Sequence, residues 1–100
     1  MVRHIVMWNS RDGFTCAENK ENAMRVKREL EALLAVIDGI IGLDVHINEM
    51  ASSNKDVILD SLFESEEALA AYQAHPEHQR VSAFVGTVLQ GRSCFDYVCD

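Results

Sequence analysis

Three observations predict an α+β fold, a four-stranded antiparallel sheet with helices on one face. Four short segments alternate or carry β-branched residues in the manner of strands, near residues 3–8, 41–50, 57–63 and 92–98. Between the first two lies a long stretch with apolar residues at helical spacing. Between the last two lies a helix pair broken at the only proline, Pro76. The order strand, helix, strand, strand, helix pair, strand is the split β-α-β, or ferredoxin-like, pattern.

The first strand, Arg3 to Trp8, sends His4, Val6 and Trp8 to one face and Ile5 and Met7 to the other. Apolar groups on both faces predict that both are covered. After a loop from Asn9 to Phe14, Thr15 and Glu18 stand at capping-box spacing. The helix they open is expected to run to about Ile37, burying Val26, Leu30, Leu33, Leu34 and Ile37. Asp38-Gly39 ends it, the glycine taking the left-handed cap. The second strand alternates Ile41, Leu43, Val45 and Ile47 against Gly42, Asp44, His46 and Asn48. Residues 51–55 form a polar hairpin connection.

The third strand places Val57, Leu59 and Phe63 on one face and Ile58 and Leu62 on the other. Ser65 caps a short helix with Glu66 and Glu67 in its first turn, where the dipole favours negative charge. Ala68, Leu69, Ala71 and Tyr72 form its buried side. Pro76 restricts His75 to an extended conformation and starts a third helix, expected to reach about Gln90 with Gly91 as its stop. Val81, Phe84, Val85, Val88 and Leu89 point inward. Arg92 to Val98 is the last strand.

The bulk numbers narrow the function. One hundred residues make one domain, residues 1–100, able to bury roughly two-thirds of its unfolded surface. A net charge of -7 argues against nucleic acid or an anionic membrane as the partner. No apolar run is long enough to span a bilayer, and the N-terminus lacks the form of a signal peptide. Three cysteines without framework spacing are expected to be reduced thiols, which places the chain in the cytoplasm. The helix-free face carries Ile5, Met7, Ile58, Leu62, Phe95 and Tyr97. That much apolar surface predicts a homodimer in which two sheets pack face to face. His46 falls on this side and reads as a surface or interface residue.

The chemistry concentrates in Tyr72-Gln73-Ala74-His75-Pro76-Glu77-His78. His78 falls in the first turn of the third helix, whose positive end disfavours imidazolium. A neutral imidazole is what a general base requires. Tyr72 ends the preceding helix, in position to donate its hydroxyl to a carbonyl oxygen, and His4 reaches the same mouth from a strand end. Between sheet and helices, Val6, Trp8, Val26, Leu30, Leu43, Val45, Leu59, Leu89 and Cys94 are expected to line an apolar pocket for a small apolar or aromatic ligand. A plainer reading has the same residues as structure: His75 as a helix cap, His78 on a backbone carbonyl, Tyr72 as a core aromatic, and the pocket filled.

No cofactor is indicated. A glycine-rich fingerprint for flavin or nicotinamide is lacking. Proline breaks the register that would align His75 and His78 on a metal, and no residue selects for heme.

His4 and Val6, Ile37-Asp38-Gly39-Ile40, the run Phe63 to Leu69 and Tyr72 to His78 together resemble the stress-responsive dimeric α/β-barrel domain family. The resemblance spans nearly the whole chain in order. It implies a ferredoxin-like unit that dimerises through its sheets, and for most members no defined activity. A related plant polyketide cyclase works without cofactor through a tyrosine and a histidine of this run. Carried over, these imply Tyr72 and His78 as catalytic residues, with His4 nearby. Val57 stands where that relative has a further pocket histidine, and Lys27 and Leu30 stand where it has aromatic residues. The resemblance therefore implies a stress-responsive small-molecule-binding barrel first. A cofactor-free cyclase, isomerase or lyase acting on a carbonyl substrate, with His78 as base and Tyr72 as donor, is the alternative.

Overall fold

The computed structural model describes residues 1–100. Its elements are β1 (Val2–Ser10), α1 (Cys16–Glu31), a 3-10 turn (Ala32–Ala35), β2 (Ile40–Ile47), β3 (Val57–Phe63), α2 (Glu66–Ala74), α3 (Pro76–Val88) and β4 (Leu89–Val98). The strands form one antiparallel sheet in the order β2-β3-β1-β4. This is the ferredoxin-like arrangement, with helices on one face only.

Local chemistry sets the helix starts. The Thr15 hydroxyl accepts from the Glu18 amide at 3.1 Å, and the Glu18 carboxylate accepts from the Thr15 amide at 2.9 Å. These reciprocal bonds satisfy donors that a helix start leaves free. Ser65 accepts from the Ala68 amide at 3.1 Å to open α2. His75 Nδ1 accepts from the Glu77 amide at 3.1 Å to open α3, with Pro76 as its first residue. So His75 is a structural cap.

The core lies between sheet and helices. Val26, Leu30, Leu33 and Ile37 pack with Val6, Leu43, Val45, Val57, Leu59 and Phe63, and Val81, Val85 and Val88 of α3 join them. The sheet's β2 edge is closed from above. Lys27 Nζ donates to the Val45 carbonyl at 2.6 Å, and the Val45 amide donates to Glu31 Oε2 at 3.0 Å. Both backbone groups of an edge residue are thereby taken, which blocks strand addition there.

Several elements depart from the sequence expectation. Helix α1 stops at Glu31 and continues as the 3-10 turn. At three residues per turn, Leu30 and Leu33 stay in line while Leu34 rotates out to 43% exposure. The β2–β3 register shifts between Ile40 and Gly42, so Ile40 packs on the core and Ile41 points out. Ala71 is exposed rather than buried. Helix α3 ends at Val88, and Leu89 is the first residue of β4. Gly91 sits inside that strand at φ 65° and does not stop the helix. It adjoins the irregular pairing between Met7 and Asn9. Gly39 has the left-handed φ of 90° that its position predicts. A Cβ there would lie 2.8 Å from the Ala68 Cβ, so the turn must be glycine for space as well as for conformation.

The helix-free face holds Ile5, Met7, Ile58 and Leu62, each half-buried, together with Phe95 and Tyr97, which are exposed. His46 lies opposite Ile58 and is exposed. All three cysteines are free thiols. No helix is long and apolar enough to cross a membrane.

Candidate functional site

Tyr72, on the last turn of α2, is wholly buried. Its ring tilts against Phe63 at 4.9 Å and against His78 at 4.3 Å, and meets His4 edge-on at 6.5 Å between centroids. Its hydroxyl has no hydrogen-bond partner in the protein. Buried polar groups are almost always bonded, and an orphan costs about 1 to 3 kcal/mol. Burial pushes the Tyr72 phenol well above its usual range, so it stays protonated and is a donor without an acceptor.

His78 is the third residue of α3. Its Nδ1 lies 3.2 Å from the Gln73 carbonyl, to which the Nδ1–H donates. Burial pushes its pKa down, against the opposing pull of that carbonyl, and His4, Arg92 and His75 add to the lowering. The ring is therefore neutral near pH 7. With Nδ1 protonated, Nε2 is the basic nitrogen.

His4 projects from β1 into the interior and is buried. Its Nδ1 bonds the carboxylate of Asp96, its partner in the β1–β4 register. Beneath the ring, the Ser61 hydroxyl donates to the His4 carbonyl at 2.7 Å. The carboxylate orients the imidazole and leaves Nε2 without a protein partner.

These three side chains line one cavity of about 360 Å³. Its apolar wall includes Val6, Trp8, Leu30, Leu59 and Leu89, all expected there from the sequence, and Val85. Val26, Leu43 and Val45 do not line it; they are packed core, because α1 lies over β2. Cys94 does not line it either. It is exposed on the edge strand, with Sγ 3.6 Å from Asp96 and 3.8 Å from His4 Nδ1. Burial first and Asp96 second push the Cys94 thiol up, away from thiolate. Tyr72, His78 and His4 share the cavity but form no hydrogen bonds to one another.

His4, Cys94 and Asp96 are the one group of metal-ligand donor types, with ligand atoms within 4.8 Å of each other. His4 and Asp96 direct those atoms at each other, which makes the group a hydrogen-bonded relay first. A larger hollow of about 670 Å³ lies beside the β2–β3 connection, lined among others by Met24, Lys27, His46, Met50 and the polar residues Ser52, Ser53, Asn54 and Lys55. It contains no buried polar group without a partner, and so offers less chemistry than the smaller cavity.

The sequence places Arg92 at the pocket but not Asp96, Arg11, Gln73 or Ser82. A signal existed for Asp96. Arg92, Cys94 and Asp96 alternate along β4, so they share the face of His4 once Phe95 and Tyr97 are placed on the other.

The geometry defines a ferredoxin-like α/β domain with a polar-ended cavity between its sheet and its helices. The model of the stress responsive A/B barrel domain family matches residues 2–99, and the chain belongs to that family. A protein from Bacteroides fragilis, described as dimeric, of unknown function and ferredoxin-like in fold, is 28% identical. The similarity covers 98% of this chain and 95% of that one, with a TM-score of 0.91. A dabb family protein with a ferredoxin-like fold from Mesorhizobium loti is 20% identical over 98% of this chain and 95% of its own, with a TM-score of 0.70. The hydroxynitrile lyase of Passiflora edulis is 10% identical over 99% and 93%, with a TM-score of 0.81. At those identities the last two share the fold alone. No curated protein matches the chain.

Proposed function

We propose that this chain is a small-molecule-binding domain that works as a homodimer, with its ligand in the cavity under Tyr72. The observation that carries the reading is the buried Tyr72 hydroxyl, which has no partner in the protein, on a residue that lines a cavity of about 360 Å³. An acceptor atom on a ligand completes that bond. The remaining wall is largely apolar with a few polar groups at one end, the usual form of a small-molecule site. A saturation-transfer NMR screen of small carbonyl compounds and acids tests it. Binding is expected on the wild type and is lost in Ser82→Trp, which fills the cavity from an exposed wall position. A ligand that binds both proteins equally sits elsewhere and contradicts the reading.

The dimer forms through the helix-free sheet face. Phe95 and Tyr97, with ring centroids 6.1 Å apart, head an apolar patch continued by Ile5, Met7, Ile58 and Leu62. The Bacteroides fragilis protein is described as dimeric, which supports the same assembly here. Three free cysteines support a cytoplasmic setting.

A second reading has a specific observation behind it. His78 is neutral with Nε2 free, and Tyr72 is a protonated donor 4.3 Å away between ring centroids. That pair suits enolisation of a bound carbonyl compound, with His78 as base and Tyr72 stabilising the oxyanion. It predicts exchange of the ligand's α-protons in D2O that His78→Ala abolishes. Exchange at an unchanged rate in that variant contradicts it.

A further inference from the structure

We infer that the cavity takes a small organic anion, and that Arg92 holds its carboxylate while the body of the ligand lies on the apolar wall. The inference rests on the small-molecule reading above and names the ligand class of that same site.

The chain has 16 acidic and 9 basic residues, yet the cavity reverses that balance. Arg11 and Arg92 line it, and no aspartate or glutamate does. The one carboxylate bonded to a lining side chain is Asp96, and it is engaged by His4 Nδ1. Outside the cavity Arg3, Arg25 and Arg80 each have a carboxylate partner and Arg28 has none. At the cavity neither Arg11 nor Arg92 has one. Arg11 donates to the Gly86 carbonyl at 2.9 Å, while Arg92 makes no ion pair.

Position then decides the orientation of the ligand. Arg92 is exposed on β4, at the cavity's solvent side. Tyr72 is fully buried at the other extreme of exposure, with a free donor. The half-buried His78 adds no positive charge, because burial lowers its pKa and the Arg92 charge reinforces this. A carboxylate therefore finds its cation at the mouth, in the planar fork that a guanidinium presents. A neutral acceptor of the ligand finds Tyr72 inside. In a protein of net charge -7, a cationic mouth in a carboxylate-rich surface also selects where an anion can approach.

Matched probes test this: phenylacetate against phenylacetamide and octanoate against octanamide, by isothermal titration on wild type, Arg92→Gln and Ser82→Trp. Each pair keeps the body and removes only the charge. On the wild type each acid is expected to bind at least about tenfold more tightly than its amide, the scale of one charge-assisted bond. In Arg92→Gln that preference falls below about twofold while the amide affinity stays put. Arg92 is exposed on an edge strand, and an unchanged melting temperature confirms that the variant folds. Acid and amide binding equally to wild type, both blocked by Ser82→Trp, leaves the cavity as the site and overturns the anion assignment. Acid preference that survives in Arg92→Gln overturns it too. Failure of every probe to bind the wild type overturns the cavity reading and this inference together.

Discussion

The helix-facing side of the sheet has two halves. Over β2 and the start of β3 the cover is complete, and Leu43, Val45 and Val57 are nearly inaccessible. Over β1 and β4 the cover stops short. Trp8 and His4 are buried there, but Arg92, Cys94 and Asp96 on the edge strand are exposed. The closed half is apolar and interlocked, with the edge Val45 carbonyl bonded by Lys27 and its amide by Glu31, though Asn19 Oδ1 and Asn22 Nδ2 of α1 are buried without partners. The open half gathers its departures at one cavity: a buried tyrosine hydroxyl lacking a partner, a buried histidine on a carboxylate and two arginines without ion pairs. Local departures of this kind are expected where a site has been built into a fold.

Phe63→Ala tests the seam where the closed half meets Tyr72 and carries the largest expected effect. The ring is fully buried against Tyr72, and its removal costs about 3 to 5 kcal/mol by chemical denaturation. A cost under about 1 kcal/mol would mean that this seam is not rigidly packed. Next comes the helix-free face. Phe95→Asp with Tyr97→Asp is expected to convert a dimer into a monomer by size exclusion with light scattering, and a wild type that is monomeric at micromolar concentration rejects the interface.

Gly39→Ala follows in size. The new methyl meets the Ala68 Cβ and the residue is held at φ 90°, so a loss of at least about 1 kcal/mol is expected in the melting transition. A neutral result would show that the turn into β2 yields. Smaller still is the pH response of the open half. Burial lowers His78 in the folded state, so the folded chain resists a proton that the unfolded chain accepts near its ordinary value of about 6.5. The unfolded state then binds more protons, and stability falls as pH drops below that value. Denaturation midpoints at pH 7.5 and 5.5 should fall further apart for wild type than for His78→Gln. Equal losses would show that His78 titrates alike in both states.

The two halves also differ in how well the sequence foretells them. The closed half follows local rules. Thr15 with Glu18, Ser65, Gly39 and Pro76 set the element ends, and the alternation of Val57, Leu59 and Phe63 sets the buried face. Where it misled, a local irregularity was responsible: the 3-10 turn turned Leu34 outward, and the shift at Ile40 turned Ile41 outward. The open half depends on pairing between residues 92 positions apart. His4 meets Asp96 only through the β1–β4 register, which no spacing within either strand encodes. Tyr72, His78 and His4 were named from the residues and from resemblance. That the Tyr72 hydroxyl is an orphan, and that Cys94 stands outside the cavity, required coordinates. The mixed outcome for the lining, with Leu59 on it and Val45 behind it, reflects how far α1 reaches across the sheet.

Tyr72→Phe measures the central claim directly, because it deletes one oxygen and keeps the ring on Phe63 and His78. If the hydroxyl is held free for a ligand, it contributes nothing to the empty protein. Thermal and chemical melts without ligand should then show Tyr72→Phe as stable as wild type or more stable, by up to about 3 kcal/mol from the relieved unpaired donor. The same variant should lose the stabilisation that a cavity ligand gives the wild type. A variant clearly less stable than wild type when empty, yet equally stabilised by ligand, would make the hydroxyl part of the fold and contradict the account.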